Sequence, residues 1–361
     1  MSATETDTRW HQNQLDRAYE RALTGRLLDQ QLLEETMAAY AKVPRDAESM
    51  FLTREYREYA QPYSAVFSLA ALWLRTGRTG MLQWEPDEQA LYAARQEYIE
   101  QESEDLALTA AERAYWQQQE QQLEKPFRYA AHEGWYRTFD WLNTIGMLMM
   151  LFVTICLSGA FPEEHTRRTD QLVLSSRNGR TVLYRAKLLA GVSTALLGAG
   201  AMTALVFALA LPLYGADGFG APVQIAYGVC FLLYSGPLSV GQASLLGYVC
   251  VLAASVVYAA FILTLSELLR SATGTMAISV ALMLAGMLFS IPVHLRALAQ
   301  IWDWLPFGFL NIWRIVDMRT LTVFGQVWLS WQAVPVLYLL AAALLAAGGW
   351  LVYRRYQVTG R

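Results

Sequence analysis

From Trp141 onward the chain is dominated by long runs without a charged residue, and these runs constrain its fold more than any other feature. A helix that crosses a hydrocarbon core needs about 20 mainly apolar residues. The runs predict spans at about 141–162, 188–214, 245–268, 275–293 and 333–353. The stretch 218–266 is also free of charge but too long for one helix; Gly236, Pro237 and Gly241 predict a break before the third span. The part around Gln224 to Tyr234 then reads as a short re-entrant or interfacial helix.

Residues 1–140 are of another kind, dense in Glu, Gln, Arg and Tyr, so the average of 55% apolar and 16% charged residues conceals two unlike parts. The reading is an all-α, polytopic membrane protein, with an α-helical extracytoplasmic domain over 1–140 and a transmembrane domain over 141–361. Its orientation follows from Lys and Arg in the connections. Arg167, Arg168, Arg177, Arg180, Arg185 and Lys187 between the first two spans, Arg270, and Arg354, Arg355 and Arg361 in the tail all fall on one side. The other side has Arg296, Arg314 and Arg319, with an aromatic-rich stretch, Trp302 to Trp313, that suits an outer interfacial helix. The C-terminus is therefore expected in the cytoplasm and the N-terminal domain outside. Met1 to Trp10 is polar and resembles no signal peptide, so an outer N-terminal domain implies a further span upstream, six rather than five.

Within the first domain, Thr109-Ala-Ala-Glu112 is a capping box, and Pro86 reads as lying just inside a helix start. Leu27, Leu28, Leu32, Leu33 and Met37, and then Tyr92, Tyr98, Tyr115 and Leu123, recur near helical spacing and read as core. Cys156, Cys230 and Cys250 match no zinc or redox spacing and read as buried small hydrophobes.

The segment between the first two spans is Phe161-Pro-Glu-Glu-His-Thr-Arg-Arg-Thr-Asp-Gln-Leu-Val-Leu-Ser-Ser-Arg-Asn-Gly-Arg180, followed by Thr181-Val-Leu-Tyr-Arg-Ala-Lys187. It is amphipathic, acidic at its start and basic at its end, with an apolar patch of Leu172, Val173 and Leu174 suited to docking a soluble partner. This order of an acidic pair, Thr and Asp, Leu-x-Leu-Ser-Ser, a Gly-Arg turn and an Ala-Lys entering the next span resembles the permease subunits of the type 2 class of ABC exporters. The likeness continues through Ala221-Pro-Val-Gln224, Leu305-Pro306 and the closing Tyr356-Gln-Val-Thr-Gly-Arg361. It implies a coupling helix that fits a groove of a separate ATPase subunit. Glu163, Glu164, Thr169, Asp170, Leu172, Leu174, Ser175, Gly179, Arg180 and Lys187 would then form the coupling surface. The resemblance also implies a second permease copy or paralogue as partner, a lipid environment, and no cofactor.

The chemistry missing from the sequence agrees with that division of labour. Lys42, Lys125 and Lys187 are the only lysines and none follows a glycine, so the sequence has no phosphate-binding loop. His11, His132, His165 and His294 form no zinc-protease motif. With a net charge of −3 and no basic footprint, nucleic-acid binding is not expected. Glu267 reads either as an acid on a translocation path or as a local ion pair with Arg270. A second reading of the whole is a membrane sensor or scaffold whose outer domain binds a peptide or envelope component without transport.

Overall fold

The computed structural model describes residues 9–44, 50–76, 78–167, 169, 181–226, 234–323 and 325–355. They are mostly helical, and the all-α class holds. A single two-stranded hairpin is present among them, β1 (Leu321–Val323) paired antiparallel with β2 (Gln326–Trp328). The chain divides into two compact units: Met1–Phe139 with Phe207–Leu245, and Asp140–Val206 with Leu246–Arg361.

The first unit begins with α1 (Arg9–Leu23), α2 (Gln30–Ala41), α3 (Ser64–Trp73), α4 (Glu88–Asp105) and α5 (Ala110–Gln122). Their starts are written locally. Asp29 accepts from the Leu32 N–H, Asp87 from those of Gln89 and Ala90, and Thr109 with Glu112 forms the reciprocal capping box. Each such cap is worth about 1 kcal/mol. Pro86 precedes the Asp87 cap instead of lying inside the helix, because the aspartate side chain supplies the better cap. Leu28, Leu32 and Leu33 are fully buried as their spacing predicts, whereas Leu27 faces outward and Met37 is half-buried.

Charge as well as oil fills this core. Arg95 is 1% exposed, lies over the rings of Trp73 and Phe127, and bonds Glu120 at 3.1 Å, with Lys125 reaching the same carboxylate at 2.9 Å. Glu120 also bonds Ser235, and Trp116 meets Tyr234 edge to face at 5.4 Å. Gln224 Nε2 in turn donates to the carbonyls of Tyr234 and Gly236. The described parts of the connection 215–239, namely 215–226 and 234–239, are therefore built into the helical head. The described part near Gln224 is a single 3-10 turn, Val223–Ile225, and residues 227–233 of the short helix expected there lie outside the described residues. At Gly218 the backbone is left-handed, φ 73°, and an added Cβ would lie 1.6 Å from the Ala131 carbonyl oxygen. Gly218→Ala is thus expected to cost roughly 2–3 kcal/mol by strain and clash together, read as a lower melting temperature.

Four helical stretches among the described residues are long and apolar enough to cross a membrane: Glu133–Glu164, Val182–Tyr214, Val240–Leu269 and Ser330–Arg354. They contain the helices α6 (Glu133–Leu157), α8 (Val182–Tyr214), α9 (Val240–Leu269) and α12 (Ser330–Arg355), with the short α7 (Pro162–Thr166) closing the first stretch. The run expected as a span at 275–293 falls on α10 (Ala272–Leu288), 17 residues long, followed by Val293–Asp303 across a bend of 118°, and the bent pair counts as a fifth candidate span. Pro292 causes the bend, since it lacks an N–H and disfavours helix at the residue before it.

Beyond the bend, α11 (Arg296–Asp303) turns Ala299 and Asp303 inward and leaves Leu298 and Ile301 exposed. Trp302 to Trp313 is not one interfacial helix. It breaks at Pro306 into short turns organised by buried charge, in which Asp303 holds Arg314 and Arg319 at 2.7 Å each and Arg319 also bonds Asp317. Small residues allow the apolar helices to approach: a Cβ on Gly198 would meet the Phe152 ring at 2.3 Å, and one on Gly191 would meet Leu263 at 2.7 Å. Of the cysteines, Cys250 is buried, but Cys156 is exposed beside Ile155 on an apolar outer face of α6. Cys230 lies outside the described residues.

Candidate functional site

The two ends of the segment 161–187 meet through a lysine. Lys187, in the second turn of α8, donates to the Ala160 carbonyl at 2.6 Å, pairs with Glu164 at 2.7 Å and lies 4.5 Å from the centre of the Phe161 ring. An ammonium has three donors, and this one spends them where α6 has ended and its last carbonyls are unpaired. Glu164 is fixed in turn by α7. Thr169 donates through N–H and hydroxyl to the Glu164 carbonyl, and Arg167 pairs with Glu163 one turn away at 2.5 Å. The Glu163 pair is exposed and contributes little stability.

Beneath the lysine is an aromatic cluster. Phe161, Tyr184 and Tyr353 lie with ring centres 5.6–6.0 Å apart and all three are buried. Tyr184 donates to the Ala346 carbonyl at 2.8 Å, tying α8 to α12, and Thr264 of α9 approaches the Leu345 carbonyl at 3.3 Å. The convergence needs Gly349, where a Cβ would lie 2.5 Å from the Tyr184 hydroxyl and 3.4 Å from Glu267 Oε2. Glu267 is 8% exposed and neither carboxylate oxygen has a hydrogen-bond partner in the structure. Arg270, whose backbone is left-handed at φ 49°, and Lys187 both act on it electrostatically.

Of the residues implicated by the resemblance, the structure brings Glu164, Thr169 and Lys187 together, and pairs the adjacent Glu163 with Arg167. Asp170, Leu172, Leu174, Ser175, Gly179 and Arg180 lie outside the described residues. Phe161, Tyr184, Tyr353 and Gly349 were not singled out from the sequence. The Gly348-Gly349 pair inside an apolar run was the available signal, since such pairs mark close helix crossings.

By fold, the molecule is an all-α chain with, among the described residues, four helices able to cross a membrane, a bent pair that could be a fifth span, and a helical head. Compared with known proteins, the chain matches no family model, no curated protein and no solved structure.

Proposed function

We propose that this chain is the membrane-spanning permease subunit of an ABC exporter, driven by ATP hydrolysis in a separate subunit. The observation that supports it best is the Lys187 junction. A segment whose ends are bonded to each other and seated on an aromatic cluster shared by the turn before α7 and by α8 and α12 can pass a push from below to several helices at once. A free loop would absorb the same push. In this reading the helices span the cell membrane, residues 1–140 lie outside, the C-terminus is cytoplasmic, and a second permease copy or paralogue completes the path. The chain's role is mechanical: the ATPase moves the coupling segment, and Glu164 and Lys187 keep that segment in register with α8.

The test is co-purification from native membranes in mild detergent, with an ATPase assay of whatever accompanies the tagged chain. Leu172→Asp with Leu174→Asp is expected to leave insertion intact and to remove a bound ATPase together with its activity. A wild-type preparation free of any ATPase would turn the assignment toward a sensor.

A further inference from the structure

Lys187 is bonded to one carboxylate, Glu164, and acts electrostatically on a second, Glu267. The first seat is complete, with Glu164 at 2.7 Å and the Ala160 carbonyl at 2.6 Å. The second is not. Glu267, near the end of α9, is 8% exposed, and among the described residues neither of its oxygens has a hydrogen-bond partner. A carboxylate taken out of water is costly unless it is paired, so a fold that keeps one there needs a donor for it in some arrangement of the chain.

The surroundings of Glu267 define what that donor must be. Three side-chain oxygens converge on Gly349 of α12: a Cβ there would lie 2.5 Å from the Tyr184 hydroxyl, 3.3 Å from that of Thr264 and 3.4 Å from Glu267 Oε2. Each hydroxyl has one hydrogen and both have given it to a carbonyl. Tyr184 donates to Ala346 at 2.8 Å, and Thr264 to Ala260 at 2.8 Å with Leu345 at 3.3 Å. Only lone pairs are left on them. The space beside Gly349 is therefore bordered by three acceptors and no donor. An ammonium, with three donors and no acceptor, is its complement.

Lys187 is placed to supply that ammonium. It follows Tyr184 by three positions on α8, so the two side chains share a helix face. Both also touch Phe161: the Tyr184 ring centre is 6.0 Å from that of Phe161, and the Lys187 ammonium is 4.5 Å from it. The charge is carried on a flexible four-carbon stem. Of the other cations, Arg270 acts on Glu267 from beyond the end of α9, and Arg354 of α12 lies over the Trp350 ring. Glu164, whose side chain is 25% exposed, can turn to water when the lysine leaves it.

We propose that Glu267 is a second seat for Lys187, so that the lysine exchanges between Glu164 of the coupling segment and Glu267 of α9 as that segment moves. What drives the exchange rests on the transport reading; the exchange itself does not. The test is zero-length crosslinking of the purified full-length chain in detergent, with no ATPase present. Diisopropylcarbodiimide condenses a neighbouring carboxylate and amine into an amide with loss of water, and peptide mass spectrometry then identifies the partner of Lys187. Arginine does not react, so Arg270 cannot imitate the lysine. The wild type is expected to give the Lys187–Glu164 link. In Glu164→Gln the Lys187–Glu267 link should rise at least about tenfold over the wild type, since loss of a sheltered ion pair is worth more than that factor. It should vanish in Glu164→Gln combined with Glu267→Gln, while Glu267→Gln alone keeps the Glu164 link. Glu164→Asp, which keeps the charge and shortens its reach, should divide Lys187 between position 164 and Glu267. An ATPase-free preparation would end the transport reading yet leave this test unchanged, so the two fail separately. No rise of the Glu267 link in Glu164→Gln, or a link to position 164 alone in Glu164→Asp, would each overturn the proposal.

Discussion

Replacing Arg95 with alanine is expected to destabilise the head by about 3 kcal/mol, because it strands Glu120 in the core. Burial alone would raise the Glu120 carboxyl, but Arg95, with Ser235 and Lys125, more than offsets it and holds the group below its usual range. Once the guanidinium is gone, Lys125 remains as a half-exposed partner, and the cation over Trp73 and Phe127 is lost with it. For a unit of this size the loss corresponds to a melting temperature lower by on the order of 10 °C. Tryptophan fluorescence on heating the full-length chain would show it, since Trp73 and Trp116 are both buried. Arg95→Met combined with Glu120→Gln should recover much of the loss, as a buried pair is replaceable by an uncharged one. A shift of Arg95→Ala below about 1 kcal/mol would mean that Lys125 alone satisfies the carboxylate.

Glu20→Gln is expected to do the reverse, and in a way that depends on pH. Burial, reinforced by Glu133 and Asp16, pushes the carboxyl of Glu20 on α1 from 4.5 up to about 8. Below pH 4.5 the side chain is protonated both in the unfolded chain and in the fold, so it contributes no difference. As pH rises from 4.5 toward 8, the unfolded chain releases this proton while the folded chain keeps it. The fold therefore loses stability across that window and levels off once the folded group ionises too. At about 1.4 kcal/mol per unit of pKa, the loss amounts to several kcal/mol. Glutamine has no proton to lose. The difference in melting temperature between Glu20→Gln and the wild type should thus be near zero at about pH 4 and grow to a plateau above about pH 8. A difference that stays flat over this range would show that Glu20 is solvated like a surface carboxylate.

Several features were legible before the structure because their causes are local. Charge-free runs of spanning length locate α6, α8, α9 and α12, since the energy of an apolar helix depends on its own residues. Thr109 and Glu112 announce the start of α5 for the same reason, as do Leu32 and Leu33 the buried face of α2. The 275–293 run locates α10 but not its end, because hydropathy registers the apolarity of Ile291 and Val293 and not the missing N–H of Pro292.

The candidate site was legible only in part. Lys187 and Glu164 could be named from a motif, but their bond depends on α7 folding back toward α8. Tyr353 and Gly349 are more than 160 positions further along the chain than Tyr184, and the Gly348-Gly349 pair marks a close crossing without saying which helix it meets. The setting of Glu20 gave no signal at all. Asp16 and Glu20 look like the solvated face of a charged helix until the Glu133 end of α6 is brought against them.

The sequence by itself determined that apolar helices would form, roughly where they begin and end, and that a polar helical head precedes them. Tertiary structure decided that residues 215–226 and 234–239 belong to that head, that Arg95 and Glu120 form part of its core, and that Glu20 is crowded by other carboxylates. The division has a physical basis: capping and helical periodicity act within a few residues, whereas the charge state and solvation of a side chain are set by whatever the fold places beside it.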